Sequence, residues 1–313
     1  MTDAARPRLA VDVGAGLRLR NPIIAASGTF GYGLEFAGVT DLRALGAIVV
    51  KGLSLEPHQG HPAPRILETP AGMLNAIGLQ NIGVRAFVEA TLPQLRVFGT
   101  PVVANCWGRV PEEFGEVAAR LSDAEGLAAI EINVSCPNTR EWGRIIATDL
   151  ELTREVVRLV RSRSRLPLWV KLSPNVTDIV SFARVAEQEG ADAISLINTL
   201  LGMAVDLERR RPALTNVTGG LSGPAIKPVA LRMVHDVARA VRIPVIGMGG
   251  ISSGDDALEF LLVGARAVQV GTASLTDPRA TERIAAEVSA GLRRRGCRDV
   301  NEWIGTLEGV PPA

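Results

Sequence analysis

Two of the three lysines in this chain stand where a lysine could do chemistry. The 313 residues include 31 arginines but only Lys51, Lys171 and Lys227 as lysines. Lys51 and Lys171 each close a short apolar run, where a lysine is costly unless it meets an anion or loses its proton. Because arginine supplies the ordinary surface cations of this chain, these two lysines indicate an anionic ligand or amine chemistry.

A single thiol is the other candidate reactive group. Cys136 lies in NVSCPN, just past an apolar run, and could act there as a nucleophile or a base. Cys106 lies inside an apolar run and is expected to pack in the core, whereas Cys297 has no expected role. Three cysteines so far apart build neither a disulfide framework nor an iron-sulfur site by themselves. The spacing of His58 and His61 does not predict a metal site.

The elements that must position these groups alternate between short apolar runs and amphipathic segments. Runs apolar on both faces, followed by helices, imply a parallel sheet covered by helices, and eight such units favour a closed (β/α)8 TIM barrel, an α/β fold. The predicted strands occupy residues 23–27, 47–52, 101–107, 129–135, 168–173, 193–199, 244–250 and 267–272. The predicted helices occupy residues 112–126, 150–164, 178–190, 227–241 and 255–265.

Three further segments complete the predicted barrel. Residues 9–21 alternate with period two around a Gly-Ala-Gly turn, which predicts a β-hairpin that plugs the N-terminal end. Long loops are expected after strands 2 and 6, at residues 53–100 and 200–226, and both leave the catalytic face of a barrel. No linker interrupts the chain, so residues 1–313 are predicted to form one domain.

Polar residues and glycines end all eight predicted strands. The carboxyl ends of barrel strands meet at one face and hold the site, so these residues are expected to form a ring. Its members are Ser27, Lys51, Gly52, Asn105, Asn133, Ser135, Cys136, Lys171, Asn198, Thr199, Gly249, Gly250, Gly271 and Thr272. The glycines after strands seven and eight lie where barrels often bind phosphate, so a phosphate-bearing ligand is expected.

Composition excludes several classes of function. The net charge is +1 and no basic block occurs, which argues against a nucleic-acid-binding protein. No stretch approaches the roughly 18 apolar residues that span a bilayer, and the N-terminus has no apolar signal region, so a cytoplasmic enzyme is expected. These residues alone leave three possibilities open: a flavoenzyme, a Schiff-base aldolase with Lys171 as nucleophile, and a barrel that only binds a partner.

The chain resembles the dihydroorotate dehydrogenases of pyrimidine biosynthesis from about residue 9 to residue 309. The resemblance rests on an ordered series of motifs over nearly the whole chain. They are NPIIAASGTFGYG, VVKGLSLEP, NAIGLQN, EINVSCPN, VKLSPN, INTLLGMAVD, GGLSGPAIKP, GMGGI and VGTA. The resemblance implies oxidation of (S)-dihydroorotate to orotate by an FMN-dependent enzyme.

The resemblance also implies a class within the family. A cysteine base and the absence of an N-terminal membrane segment match the soluble class 1, and the segment from Met203 to Pro228 looks like the B-type, NAD-linked catalytic subunit. That type works with an electron-transfer subunit carrying FAD and a [2Fe-2S] cluster, commonly as a homodimer core within a heterotetramer. The fumarate-linked A-type and a dihydropyrimidine dehydrogenase-like subunit acting on uracil or thymine are the nearest alternatives.

Site residues follow from the same resemblance. FMN would contact Ser27, Lys51, Gly52, Asn105, Asn133, Lys171, Ile197, Gly223, Gly249, Gly250, Gly271 and Thr272. Dihydroorotate would contact Lys51, Asn75, Ala76, Ile77, Gly78, Leu79, Asn133, Asn198 and Thr199. No metal ligand is expected in this chain.

The implied chemistry divides the work between one base and two cations. Cys136 removes the proton from C5 of dihydroorotate while hydride leaves C6 for FMN. Lys51 faces the substrate carboxylate and the flavin edge, and Lys171 stabilises negative charge near flavin N1. Lys227 is expected only to anchor the loop that precedes its helix.

The chain departs from the family pattern in two places. Trp107 follows Cys106 where a small apolar residue is usual and could crowd the flavin. Residues 138–149 read NTREWGRIIATD, with Trp142, Ile145 and Ile146 where a glycine-rich lid is common. This second departure is expected to affect the flexibility of the lid.

Overall fold

The computed structural model describes residues 6–135 and 146–311. Eight parallel strands close into a barrel with helices around it, so the predicted TIM barrel is confirmed. Each predicted strand is present, shorter than expected by one to three residues at its carboxyl end. Cys136, Trp142 and Ile145 lie outside the described residues.

The strands are numbered here in chain order. They are β1 (Val11–Asp12), β2 (Arg18–Leu19), β3 (Ile23–Ala25), β4 (Ala47–Val49), β5 (Ile66–Thr69), β6 (Gly72–Asn75), β7 (Val102–Cys106), β8 (Leu127–Asn133), β9 (Leu168–Lys171), β10 (Ala193–Leu196), β11 (Leu200–Met203), β12 (Val205–Asp206), β13 (Arg211–Pro212), β14 (Thr218–Ser222), β15 (Val245–Met248) and β16 (Ala267–Val270). The barrel order is β3-β4-β7-β8-β9-β10-β15-β16, closing back on β3.

The helices are numbered in the same way. They are α1 (Val84–Ala86), α2 (Leu92–Arg96), α3 (Pro111–Ser122), α4 (Leu150–Arg163), α5 (Ile179–Gln188), α6 (Lys227–Ala238), α7 (Gly254–Leu262), α8 (Ala273–Thr276), α9 (Ala280–Arg294) and α10 (Val300–Trp303). A π-helical segment, Phe87–Thr91, joins α1 to α2. Short 3-10 turns cover Leu34–Phe36, Leu42–Ala44, Ile146–Thr148 and Pro224–Ile226.

The barrel strands form because both of their faces are removed from water. Every residue of β4, β9, β10, β15 and β16 is buried, with barrel interior on one side and helices on the other. Side-chain caps begin several of the surrounding helices. Asp149 and Asp178 cap α4 and α5, and Ser253 starts α7 with a capping box, so backbone N–H groups in the first turns of these helices are satisfied.

The predicted N-terminal hairpin is present as β1 and β2, which pair antiparallel. Gly14 in its turn has φ +101°, and a Cβ there would lie 2.2 Å from the carbonyl oxygen of Asp192. Asp192 directly precedes β10, so the turn packs against the N-terminal end of the barrel. The hairpin therefore lies at the end opposite to the ring of strand-end residues.

The two long connections meet above the other end of the barrel. They supply β5 and β6, after barrel strand β4, and β11 and β14, after barrel strand β10, which pair as a four-stranded sheet in the order β11-β14-β6-β5. The sequence predicted these segments as long loops without indicating this pairing. Gly220 of β14 stands opposite Asn75 of β6, so one connection fixes the position of the other. Among the described residues, no helix is long and apolar enough to cross a membrane.

Candidate active site

Strand register places two candidate residues and one further polar residue side by side across the barrel interior. Asn133 on β8 is in register with Lys171 on β9, and Lys171 is in register with Ser195 on β10. In-register neighbours point to the same face of a sheet, and Ser195 points inward because its hydroxyl reaches a buried side chain of β8. Asn133 and Lys171 therefore also face the interior, near the carboxyl ends of their strands.

The two lysines at strand ends have no partner in the described part of the chain. Lys171 is only 7% exposed and forms no ion pair or hydrogen bond with any described residue. Lys51 follows β4 and is half-buried, and its pKa is lowered, chiefly by burial and further by the charge of Arg65, while Glu35 acts in the opposite direction. Buried cations that form no ion pair with a described residue suit an anionic ligand.

Lys227 differs from the other two lysines because it is fully paired. Its ammonium contacts the carboxylate of Asp256 and lies 2.8 Å from Oε2 of Glu259, both on α7. Burial lowers the pKa of Lys227, but hydrogen bonds to the two carboxylates outweigh this effect and raise it. Burial raises the pKa of Asp256, but its hydrogen bonds outweigh this effect and lower the pKa to about 2. Lys227 thus joins α6 to α7, in agreement with an anchoring role.

The glycines expected at a phosphate converge after β15 and β16. A Cβ on Gly250, which has φ +77°, would lie 2.9 Å from the carbonyl oxygen of Gly223, and one on Gly223 would lie 3.6 Å from Cγ2 of Thr272. The backbone N–H groups of Gly249, Gly250, Gly271 and Thr272 donate to no residue that the structure describes. A cluster of free N–H groups without side chains in front of it is a suitable cradle for an anion.

A chain of hydrogen bonds links the ends of β8 and β10. Oδ1 of Asn133 accepts from the Ser135 hydroxyl at 2.7 Å, and Nδ2 of Asn198 donates to Oγ of Ser135 at 2.8 Å. Oδ1 of Asn198 accepts from the backbone N–H of Thr199 at 2.9 Å. These bonds set the orientation of two amides to which the family resemblance gives a substrate-binding role, and Ser135 immediately precedes Cys136 in the sequence.

The segment 75–79 reaches the same region through the sheet above the barrel. Nδ2 of Asn75 donates to the carbonyl oxygen of Gly220 at 3.3 Å. A Cβ on Gly220 would lie 2.0 Å from Oγ1 of Thr199, so the Thr199 hydroxyl lies against this glycine. The structure therefore brings Asn75 and Thr199 together, although 124 positions separate them in the chain.

Residues 76–79 are held in a defined turn. The backbone N–H of His61 donates to the carbonyl of Ile77 at 3.0 Å, and its ring nitrogen Nδ1 lies 3.1 Å from the carbonyl oxygen of Ala76. Gly78 and Leu79 both have left-handed backbone angles, φ +74° and +59°. A left-handed leucine is uncommon and is frequently found at functional sites.

The remaining candidate residues lie at the predicted strand ends. Ile197 follows β10 through a cis peptide bond from Leu196, and its N–H donates to the carbonyl of Met248 at 3.0 Å. Gly52 lies beside Asn105, since a Cβ there would be 2.8 Å from Oδ1 of that residue. Ser27 follows β3 and is half-buried.

A buried glutamate network beneath the site was missed by the sequence reasoning. Glu131 on β8 is 0% exposed, and its Oε1 accepts from Nδ2 of Asn105 at 2.8 Å. Its Oε2 accepts from Oγ of Ser195 at 2.8 Å and from Nε2 of Gln269 at 2.6 Å. The signal was available, because Glu131, Ser195 and Gln269 are polar residues within otherwise apolar strands.

The structure also shows the surroundings of Cys106, Trp107 and the two histidines, His58 and His61. Cys106 is fully buried in the main core, as expected, and burial raises the pKa of its thiol. Trp107 packs beside Gly52, with its Cδ1 3.3 Å from where a Cβ would stand, and edge-on to the ring of His58. His58 and His61 belong to no group of metal-ligating side chains in residues 6–135 and 146–311.

Comparison with known proteins gives a consistent set of matches. The family model described as dihydroorotate dehydrogenase matches residues 8–292. A protein of Citrifermentans bemidjiense is 59% identical over 303 residues, covering 97% of this chain and 99% of that protein, and is named dihydroorotate dehydrogenase B (NAD(+)), catalytic subunit. A protein of Trichlorobacter lovleyi with the same name is 57% identical over 304 residues, covering 97% and 100%.

A solved structure supports the fold. The dihydroorotate dehydrogenase of Eimeria tenella, crystallised in complex with ferulenol, superposes with a TM-score of 0.81. The match covers 98% of this chain and 90% of that chain at 23% sequence identity. At this identity the likeness concerns the barrel and its additions, and not the site chemistry.

Proposed function

The chain belongs to the dihydroorotate dehydrogenase family, and we propose that it oxidises (S)-dihydroorotate to orotate as a B-type, NAD-linked catalytic subunit. This reaction is a step of pyrimidine biosynthesis. The observation that carries the proposal is Lys171, a buried ammonium without a described partner. It lies in register with Asn133, at the barrel end that also holds the free N–H groups of the glycine cradle.

The residues at this end of the barrel fit FMN. A phosphate suits the cradle of Gly223, Gly249, Gly250, Gly271 and Thr272, because free backbone N–H groups lie there and the four glycines leave room for an anion. Lys171 supplies the cation that a reduced flavin requires near N1. Ser27, Lys51, Gly52, Asn105, Asn133 and Ile197 complete the proposed contacts.

Substrate binding is assigned to the residues that the upper sheet and the hydrogen-bond chain bring together. Lys51 faces the substrate carboxylate, with Arg65 adding positive charge nearby. Asn133 and Asn198 orient the pyrimidine through the amides that Ser135 holds. Thr199 and the segment 75–79 are proposed to close the pocket, because the Gly220 contact joins them.

The proposed mechanism removes one proton and one hydride from dihydroorotate. Cys136, as thiolate, takes the proton from C5 of dihydroorotate, and the bond between C5 and C6 becomes a double bond as hydride departs from C6. The hydride acceptor at this site would be FMN, held by the contacts named above. Lys51 holds the carboxylate on C6, and Lys171 would stabilise the negative charge that accompanies reduction. Asn133 and Asn198 keep the ring in the orientation that presents C5 to the thiol.

Electrons must then leave the chain, since the proposed final acceptor is NAD. The relatives are named catalytic subunits, which implies a second, electron-transfer subunit. We propose that this partner carries FAD and a [2Fe-2S] cluster. We also propose that two catalytic chains form the core of a heterotetramer, that residues 1–313 act as one FMN-binding domain and that the enzyme works in the cytoplasm.

The decisive experiment is to purify the protein and add dihydroorotate anaerobically. We expect a yellow protein whose FMN absorbance bleaches with one equivalent of dihydroorotate and does not bleach with dihydrouracil, which lacks the carboxylate. A colourless protein would contradict the flavoenzyme, and equal turnover of carboxylate-free pyrimidines would favour the dihydropyrimidine dehydrogenase alternative. Reoxidation by fumarate would indicate the A-type. Borohydride trapping that labels Lys171 in the presence of substrate would indicate an aldolase.

A further inference from the structure

The buried carboxylate of Glu131 has no role in the reaction assigned so far. It lies in the barrel interior, and no cation of the described residues lies within 4 Å of it. Burying an isolated charge costs folding free energy. Replacing such a group by an apolar residue of similar size is often neutral or stabilising. Its presence in the middle of an apolar strand therefore needs a physical explanation.

Neutral donors surround this carboxylate on both of its oxygens. Asn105 donates to Oε1, and Ser195 and Gln269 donate to Oε2, at 2.6 to 2.8 Å. An ionised carboxylate only accepts hydrogen bonds, and three donors from three other strands point at this one. The donors stabilise the charge without neutralising it, and the field of the carboxylate extends to its surroundings.

The position of Glu131 places that field directly beneath the proposed flavin site. Asn133, two residues further along β8, is a proposed flavin contact, and two residues of a strand span about 7 Å. Asn105, another proposed flavin contact, is bonded to Glu131 directly. Lys171 stands in register with Asn133 on the neighbouring strand. Glu131 thus lies one interior layer below the residues assigned to the flavin.

We propose that Glu131 is a positioning residue that orients Asn105 and lowers the reduction potential of FMN bound above it. The inference rests on the proposed function. Reduction places negative charge on the flavin, and a fixed carboxylate nearby in a medium of low dielectric opposes it. Lys171 acts in the opposite sense, so the two residues together set the potential. A lowered potential favours onward transfer to NAD, which is a weak oxidant.

The test is the midpoint potential of FMN in the full-length chain with Glu131→Gln, which removes the charge with little change in shape. We expect the potential to rise by about 30 mV, which is about tenfold in the equilibrium constant of a two-electron reduction. Glu131→Asp keeps the charge and is expected to stay near the wild-type potential, as is Ser195→Ala, which removes one donor. An unchanged potential in Glu131→Gln, or an equal rise in Glu131→Asp, would overturn the inference.

A second variant covers the case in which Glu131→Gln does not fold. The triple variant Glu131→Met, Ser195→Ala, Gln269→Leu removes the charge together with two of its donors, as apolar replacement of buried ionic groups often allows. It is expected to show the same rise, and no rise would contradict the role of Glu131. The titration uses a chemical reductant and not dihydroorotate, so failure of the substrate to reduce FMN would count against the proposed function alone.

Discussion

Nδ2 of Asn198 donates to Oγ of Ser135 over 2.8 Å, which joins the ends of two barrel strands. The same hydroxyl donates to Oδ1 of Asn133. Ser135 is fully buried, so neither amide can replace it with bulk water. The serine before Cys136 therefore acts as the common partner of two proposed substrate contacts.

Replacing this hydroxyl should weaken substrate binding more than flavin binding. In Ser135→Ala, the amides of Asn133 and Asn198 lose their common partner, at a cost of about 1–3 kcal/mol. We expect the KM for dihydroorotate to rise roughly tenfold or more, with FMN content unchanged, in steady-state assays. Ser162→Ala on α4 is the control, since among the described residues that exposed hydroxyl bonds only to Leu159 of its own helix. An unchanged KM would refute the orienting role.

Lys171 and Lys227 should differ in their tolerance of substitution by arginine. Lys171→Arg keeps the charge but forces a larger, planar group into a buried position, so we expect flavin reduction to slow by about 100-fold. Lys227→Arg should retain activity, because a guanidinium can still pair with Asp256 and Glu259. Stopped-flow measurement of flavin bleaching compares the two variants. Equal effects would argue against a special role for the Lys171 ammonium.

The affinity for dihydroorotate should decrease as pH rises, because the Lys51 ammonium loses its proton. Burial and Arg65 lower the pKa of Lys51, so its ammonium loses the proton at a lower pH than an exposed lysine does. The carboxylate needs the charged form, so affinity is full below the pKa of the free enzyme and falls about tenfold per pH unit above it. The Lys51→Arg variant should bind dihydroorotate weakly, and its affinity should not decrease over the same pH range. A wild-type KM that stays flat up to the ordinary lysine pKa would contradict the assignment.

The glycine cradle can be tested with a matched pair of glycines. A Cβ in Gly250→Ala would lie 2.7 Å from Cβ of Lys227 and 2.9 Å from the Gly223 carbonyl oxygen, at φ +77°. Gly296 has φ +70° with nothing within 4 Å of a Cβ. Both alanine variants carry the backbone cost of about 1–2 kcal/mol, but only Gly250→Ala should lose FMN affinity, by roughly tenfold or more. Fluorescence titration of FMN measures this, and equal affinities would exclude the cradle.

The role of Cys136 is tested by its closest replacement. A serine hydroxyl is a far weaker base, so Cys136→Ser should slow flavin reduction at neutral pH by about 10²–10⁴-fold. The reduction rate should recover as pH rises, because deprotonation of the hydroxyl becomes less costly. Chemical reduction of the bound FMN should be unaffected. Flavin bleaching by dihydroorotate at near the normal rate would show that another group is the base.

The barrel itself was predictable from local patterns. Eight apolar runs alternate with amphipathic helices, and burial on both strand faces leaves only a parallel sheet covered by helices as the solution. Because all the strands run in one direction, residues that end them must meet at one face, so Lys51, Asn133 and Lys171 could be grouped from sequence alone. Family resemblance then added roles which spacing could not supply.

Contacts between distant segments were decided only by the tertiary structure. The pairing of β6 with β14 and the bonds of Glu131 depend on register between strands far apart in the chain, and no sequence period records that register. The sequence suggested only an anchoring role for Lys227, and the two carboxylates of α7 that pair with it are brought to it by the tertiary structure. Sequence thus determined which residues line one end of the barrel, whereas folding determined which of them are neutralised, joined or left free to meet a ligand.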